Sequence, residues 1–293
     1  MRLLITGASG LVGTKLTETA TRAGHEVFTL YNQHPINLPN ATRAEIRRVT
    51  DITEILRKTS PDVVVHLASI TDVDFCEQNP ELAFSVNGTA TGVLAAECLR
   101  IGSHLVYVST DYIFDGQRGN YKEEDQHNPV NVYGRSKWVG EEATRKASEL
   151  FCVARTSVVY GSGREFRPNL ATWLYAEIKV GRSVKVVNDQ YASPTLNSNL
   201  ANMLLEVAER RLSGTFHLAG SSRLSRYEFA HKMARELRMD TKLIIPTPSK
   251  SSSWIAERPP DSSLNVEKAQ RSLMHKPVSI DCALVEFAAE KEN

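Results

Sequence analysis

The sequence has no excess of either charge. Lys and Arg number 35 against 34 Asp and Glu, for a formal net charge of +1. A balanced chain has no general attraction for nucleic acid or anionic membrane, so neither is expected as a partner. Cysteine is scarce, with four residues (Cys76, Cys98, Cys152 and Cys282) set far apart. No pair has the C-x-x-C spacing of a zinc or redox site, and no metal is expected. No apolar run approaches the ~18 residues that a membrane span needs. The opening MRLLITGASG reaches glycine after a few apolar residues, unlike a secretory leader, and a cytoplasmic protein is expected. What remains is an ordinary globular mix, 41% hydrophobic and 24% charged over 293 residues, enough for one large domain or two.

In the first half, short apolar runs alternate with helical patterns. Strands are expected at Arg2 to Thr6, Glu26 to Tyr31, Asp62 to Leu67, His104 to Ser109 and Phe151 to Tyr160, with a weaker one at Ile46 to Val49. Helices are expected at Leu11 to Ala23, closed by Gly24, at Pro80 to Arg100 and at Val132 to Ser148. Strands and helices in alternation imply right-handed crossovers and a doubly wound α/β fold with one parallel sheet, the Rossmann architecture. The second half is less regular. Helices are expected at Leu170 to Lys179, Asn199 to Arg211 and Ser225 to Leu237, with short strands at Val184 to Val187, Thr215 to Leu218 and Leu243 to Ile245. A dinucleotide-binding domain over 1–160 and a smaller substrate-binding lobe over 161–293 are expected, with some later segments free to return to the main sheet.

Gly7-Ala8-Ser9-Gly10-Leu11-Val12-Gly13 is a G-x-x-G-x-x-G turn between the first strand and the first helix. Glycine permits positive φ and lets backbone N–H groups approach a pyrophosphate, while the helix start adds a positive dipole end. The bland alternative is an empty tight turn, but the strand–turn–helix setting favours a dinucleotide. NAD sites carry an acid at the end of the second strand to hold the ribose 2′-OH. Here that end reads Leu30-Tyr31-Asn32-Gln33-His34, with no acid to repel a 2′-phosphate and no Arg to grip one. NADP(H) is favoured and NAD(H) stays open. Asn32 and the pair Asp51-Ile52 are candidates for the adenosine side, although Asp51 serves equally well as a helix cap.

Tyr133 and Lys137 stand at i and i+4 and share one helix face. A tyrosine titrates near ~10, and a neighbouring ammonium lowers that value. Such a phenol can protonate a carbonyl oxygen as hydride reaches the carbon. Tyr and Lys at this spacing also decorate exposed helices. Thr110, at the carboxyl end of the fifth strand, could bond the same oxygen or merely cap the strand end.

The glycine turn, Thr110 and the Tyr133/Lys137 pair together resemble the extended short-chain dehydrogenase/reductase superfamily. Within it the chain resembles the dTDP-4-dehydrorhamnose reductase family. The matching stretches are His66-Leu67-Ala68-Ser69, the run Ser109-Thr110-Asp111-Tyr112-Ile113-Phe114-Asp115-Gly116, and Asn131-Val132-Tyr133-Gly134-Arg135-Ser136-Lys137. Arg155-Thr156-Ser157, Ser193-Pro194-Thr195, Gly214-Thr215-Phe216-His217 and Arg258-Pro259 continue the match in order. The resemblance implies NAD(P)H-dependent reduction of a nucleotide-linked 4-keto-6-deoxyhexose. It assigns Thr110, Tyr133 and Lys137 to catalysis. Gly7, Ser9, Gly10, Leu11, Val12, Gly13, Leu67, Ala68 and Ser69 would hold the cofactor together with Tyr133 and Lys137, the lysine on the nicotinamide ribose, and Thr110, Asp111 and Arg258 would hold the sugar nucleotide. Asn87 matches an asparagine that supports the lysine through water, or is an ordinary helix-kink residue.

Sugar-nucleotide dehydratases of the superfamily follow the strand-end Thr with Asp-Glu. Here Tyr112 takes the Glu position, which disfavours dehydration. The chain departs from the family pattern at Val158, where a Trp is common, and at Ala192 and Asp261. The lost aromatic wall keeps a second reading open, a non-catalytic NADP-binding regulatory subunit. The β subunit of methionine adenosyltransferase resembles the same family. A related sugar-nucleotide epimerase is a third. A homodimer is compatible with the sequence, with Trp173 and Tyr175 as candidate packing residues. His66 reads as a core histidine, and Asp72 and Asp74 as loop caps.

Overall fold

The computed structural model describes residues 1–163 and 168–292. Its centre is a seven-stranded parallel sheet. Strands β1 (Arg2–Thr6), β2 (Glu26–Tyr31), β3 (Ala41–Arg43), β4 (Val63–His66), β5 (His104–Thr110) and β6 (Cys152–Thr156) come from residues 1–160. Gly214–His217 also lies in this sheet, and the spatial order is β3-β2-β1-β4-β5-β6 followed by Gly214–His217. Strand order reverses between β1 and β4, where an open α/β sheet leaves a crevice at its carboxyl edge.

The helices between these strands are α1 (Leu11–Arg22), α2 (Val49–Thr59), α3 (Val73–Gln78), α4 (Pro80–Ala83), α5 (Ala90–Ile101) and α6 (Val132–Ala147). Every residue of β4 is buried, as a central strand covered on both faces requires. Helix α1 ends with Gly24 at φ +82°, the left-handed position that favours glycine.

Three expectations need correction. The strand expected from Phe151 to Tyr160 breaks at Val158, whose φ is +38°, into β6 of the main sheet and a short strand, Val159–Tyr160, that pairs with Thr195–Leu196 instead. The weak third strand lies at Ala41–Arg43, not at Ile46 to Val49. Ile46 is apolar because its side chain packs under the sheet beside Ile52 and Leu56, and Val49 already begins α2. The helix expected from Pro80 to Arg100 is interrupted by a π-helical turn over Phe84–Thr89. There Gly88 lets α6 approach closely; a Cβ at this position would lie 2.9 Å from Val139 Cγ1. The whole Pro80–Ile101 segment is long and apolar enough to cross a bilayer, but half of it is buried inside the protein, as in a core helix.

The second half continues with β7 (Val159–Tyr160), α7 (Leu170–Lys179), β8 (Val184–Val187), β9 (Tyr191–Ala192), β10 (Thr195–Leu196), α8 (Asn197–Glu209) and β11 (Gly214–His217). It ends with β12 (Leu224–Ser225), α9 (Arg226–Glu236), β13 (Ile244–Thr247), α10 (Glu267–Ser272) and α11 (Ile280–Glu292). Three small two-stranded sheets pair β7 with β10, β8 with β13 and β9 with β12. Helices α7, α9 and α11 enclose a second apolar core around Tyr160, Phe229 and Phe287, which also takes in Trp173. Helix α8 packs on the main core with β11, so the second half of the chain contributes to both cores.

Candidate active site

A cleft of about 760 Å³ opens at the carboxyl edge of the sheet. One end is walled by the turn from Gly7 to Gly13. Gly7 has φ +66°, and a Cβ there would fall 2.7 Å from the backbone nitrogen of Ala68. A Cβ on Gly13 would sit 2.4 Å from the Gly7 carbonyl, so this glycine is fixed by close packing of turn and helix. Gly10 is the N-cap of α1, and no side chain caps it. The first N–H groups of the helix thus face the cleft with its positive dipole end. Ser9, Leu11, Val12, Asn32, Leu67, Ala68 and Ser69 line the same wall.

Asp51 and Ile52 do not line the cleft. Ile52 is buried beneath the sheet and Asp51 lies in the first turn of α2. The wall beyond β3 is formed by Ala44, Glu45, Ile46 and Arg47. Because β3 ends at Arg43, the residues that follow it into the cleft are 44–47 and not Asp51 and Ile52.

The other end of the cleft is built by β5 and α6. The Asn131 side chain accepts from the Gly134 N–H at 2.8 Å and starts α6. This start directs Tyr133 and Lys137 into the cleft beside Thr110, Asp111 and Tyr112. Lys137 is buried, and its Nζ donates to the Val108 carbonyl at 2.8 Å and lies 4.3 Å from the Tyr107 ring centre. Burial pushes this ammonium down to about 7, with Glu141 and Cys76 pulling it back up in part. Burial also raises the Tyr133 phenol above its usual value, although the Thr110 hydroxyl lowers it. This corrects the expected acidification by lysine. Loss of water raises the phenol, the neighbouring Asp111, Cys76 and Tyr112 raise it further, and Lys137 is directed at a carbonyl of β5.

Asp111 is buried and bonded by three hydroxyls, Ser262 at 2.5 Å, Ser157 at 2.7 Å and Thr110 at 3.0 Å. Burial raises its carboxyl above the usual range despite these bonds. Asp111 therefore organises the hydroxyls around it, Thr110 included. Asn87 sits in the π turn. Its side chain accepts from Ile70 N–H at 2.8 Å and Ser69 Oγ at 2.9 Å, and donates to Ser136 Oγ at 3.0 Å. It ties the Ser69 wall to α6.

Arg258 is placed differently from expectation. It is not among the cleft residues; it pairs with Asp74 at 3.0 Å and lies over the Trp254 ring. Asp74 also accepts from the backbone N–H groups of Ile255 and Ala256, so this cluster fastens the 255–258 loop to α3. At the end built by β5 and α6 the cleft is instead lined by Arg226, the first residue of α9. A capping box between Ser225 and Glu228 fixes this helix start, and Arg226 Nε donates to Gln190 at 3.0 Å. It also bonds the Tyr112 side chain, whose ring lies 5.9 Å from that of Tyr133. Nothing in local spacing marked Arg226, because Gln190 and Tyr112 reach it only in the fold.

Thr156 and Val158 complete the wall. The Thr156 hydroxyl is buried at the cleft with no hydrogen-bond partner. Val158 has φ +38°, uncommon for a β-branched residue and a mark of local strain. His66 is a core histidine held between Thr6 and Thr91. Asp72 caps α3. Among the described residues no cluster has the makings of a metal site.

The glycine cradle, the uncapped α1 start and the unpartnered Thr156 hydroxyl fit an elongated anionic dinucleotide lying across the switch point. A model of the RmlD substrate binding domain matches residues 1–293. The chain belongs to this family. It is 37% identical over 257 residues to the dTDP-4-dehydrorhamnose reductase of Mycobacterium tuberculosis, covering 85% of this chain and 79% of that one. It is 30% identical to the bovine (Bos taurus) methionine adenosyltransferase 2 subunit beta, covering 92% of this chain and 81% of that one. Among solved structures, a dTDP-4-dehydrorhamnose reductase of Bacillus anthracis in complex with NADP superposes with a TM-score of 0.89, at 26% identity and 99% coverage of both chains. Family membership accounts for the order of cleft elements along the chain, from the glycine turn through Thr110 to Tyr133 and Lys137.

Proposed function

We propose that this protein is an NAD(P)H-dependent reductase of a nucleotide-linked 4-keto-6-deoxyhexose, with dTDP-4-dehydrorhamnose as the expected substrate and dTDP-rhamnose as the product. The observation that carries the reading is that Tyr133, Lys137 and Thr110 open into one cleft with the glycine turn. The turn and the α1 start would hold the pyrophosphate, and Tyr133 and Lys137 would border the nicotinamide end. When bound, the reduced nicotinamide supplies the hydride that reaches C4.

Tyr133 donates its O–H proton to the keto oxygen. The raised phenol value does not prevent this step, since the keto oxygen becomes an alkoxide, and so a proton acceptor, as the hydride arrives. Burial keeps the donor protonated until the oxygen becomes basic. Lys137, when charged, stabilises the phenolate left behind. The Thr110 hydroxyl now donates to Asp111 and turns from it to reach the substrate oxygen. Arg226, with a planar guanidinium suited to phosphate, is the proposed partner of the sugar diphosphate in place of Arg258.

The experiment is reduction with NADPH deuterated at the transferable position of the ring. Deuterium at C4 of the hexose supports the reading; deuterium elsewhere, or none, overturns it. The regulatory reading has Val158 and the bovine relative in its favour. It predicts NADPH binding with no turnover of any keto sugar.

A further inference from the structure

The cleft wall at the adenosine end carries a paired acid and base that the reductase chemistry does not use. Glu45 and Arg47 follow β3 and line the wall together with Asn32, Gln33 and His34. Arg47 Nε bonds Glu45 Oε1 at 3.0 Å, and Nη2 bonds Oε2 at 3.0 Å. Asn32 Nδ2 reaches the same carboxylate at 3.4 Å. Both members of the pair keep access to solvent, with side-chain exposures of 43% and 25%. Strand β3 pairs with the end of β2, Tyr31 opposite Arg43. The pair thus stands beside the β2 end, where doubly wound folds read the adenosine ribose. The β2 end itself offers neither acid nor guanidinium, and the segment following the neighbouring strand supplies both.

We propose that Glu45 and Arg47 form an exchangeable selector for the 2′ position of the dinucleotide. With NAD(H), the pair stays closed and Glu45 accepts a hydrogen bond from the ribose 2′-OH. With NADP(H), Arg47 leaves Glu45 and forks onto the 2′-phosphate, which would otherwise meet the carboxylate. A solvent-exposed ion pair contributes little to stability, so the exchange is cheap. Guanidinium and phosphate match in bidentate geometry, which gives the open form its gain. Both cofactors are then admitted, and the balance between the two residues sets the preference.

The inference rests on the dinucleotide reading of the cleft but not on the identity of the sugar. It is tested by fluorescence titration of NADPH and NADH, without sugar, on the full chain. Three forms are compared: wild type, Glu45→Gln and Arg47→Gln. Arg47→Gln should raise the Kd for NADPH about tenfold or more, the loss of one charge-assisted bond. It should leave NADH within about twofold. Glu45→Gln should do the reverse, tightening NADPH and weakening NADH by about threefold or more. A merely structural role would move both cofactors in one direction. Parallel shifts, or none, in a protein that binds both cofactors overturn the selector alone. A wild-type protein that binds neither overturns the dinucleotide reading and the selector with it.

Discussion

Lys137 makes the site sensitive to pH near neutrality. Burial disfavours the ammonium and places its titration at about 7, below the usual lysine value. The side chain is charged below that pH and neutral above it, and only the charged form stabilises a phenolate on Tyr133. The kcat/KM for the keto substrate is therefore expected to fall as pH rises through about 7. In Lys137→Met the fall should vanish along with most of the activity. A wild-type profile that rises over this range would contradict the assignment. Two arginines give a second prediction at this scale. Arg226→Ala should raise KM for the nucleotide sugar about tenfold or more and leave the Kd for NADPH unchanged. Arg258→Ala, which removes a bond to Asp74 outside the cleft, should change KM by less than about threefold. Equal effects, measured by steady-state kinetics, would return the diphosphate contact to Arg258.

Helix α6, which carries Tyr133 and Lys137, is anchored by ions. Glu141 lies two helical turns beyond Tyr133, fully buried, and its carboxylate receives Arg155 of β6 at 2.9 Å. Burial alone would raise the Glu141 carboxyl, but the Arg155 guanidinium outweighs it and holds the group well below its usual value. Glu141→Ala leaves a buried guanidinium without its carboxylate. A loss of about 3–5 kcal/mol is expected in denaturant unfolding, against under about 1 kcal/mol for Glu142→Ala, whose pair with Arg145 is exposed. Most elements were legible because their apolar periodicity is strong. The third strand was not, since Ile46 is apolar for a core contact made from a loop. For the same reason the sequence did not mark Glu45 and Arg47, which lie just beyond Arg43, where that strand ends. The π turn was also invisible, because its composition is that of a helix.

For the whole molecule, strand–helix alternation and the glycine turn sufficed to place the crevice and one wall of the candidate site. Tyr133, Lys137 and Thr110 could be chosen from the sequence because they lie on elements next to that crevice. Arg226 could not, because it reaches the cleft from the second half through packing that no periodicity encodes. A dinucleotide binding across the switch point stabilises only the folded chain. NADPH at 100 times its Kd should add about 2.7 kcal/mol, roughly 5 °C in Tm. An unchanged Tm at saturating NADPH would contradict the cofactor site.

Whether the Tyr133 phenol gives its proton to the reduced ketone is decided by measuring NADPH affinity and turnover of a nucleotide-linked 4-keto-6-deoxyhexose side by side in wild type and Tyr133→Phe. The two proteins should bind NADPH equally, with kcat lower by about 10²–10⁴-fold in the variant. Equal turnover in both, or a wild type that binds NADPH and reduces none of these sugars, would rule out Tyr133 as the proton donor.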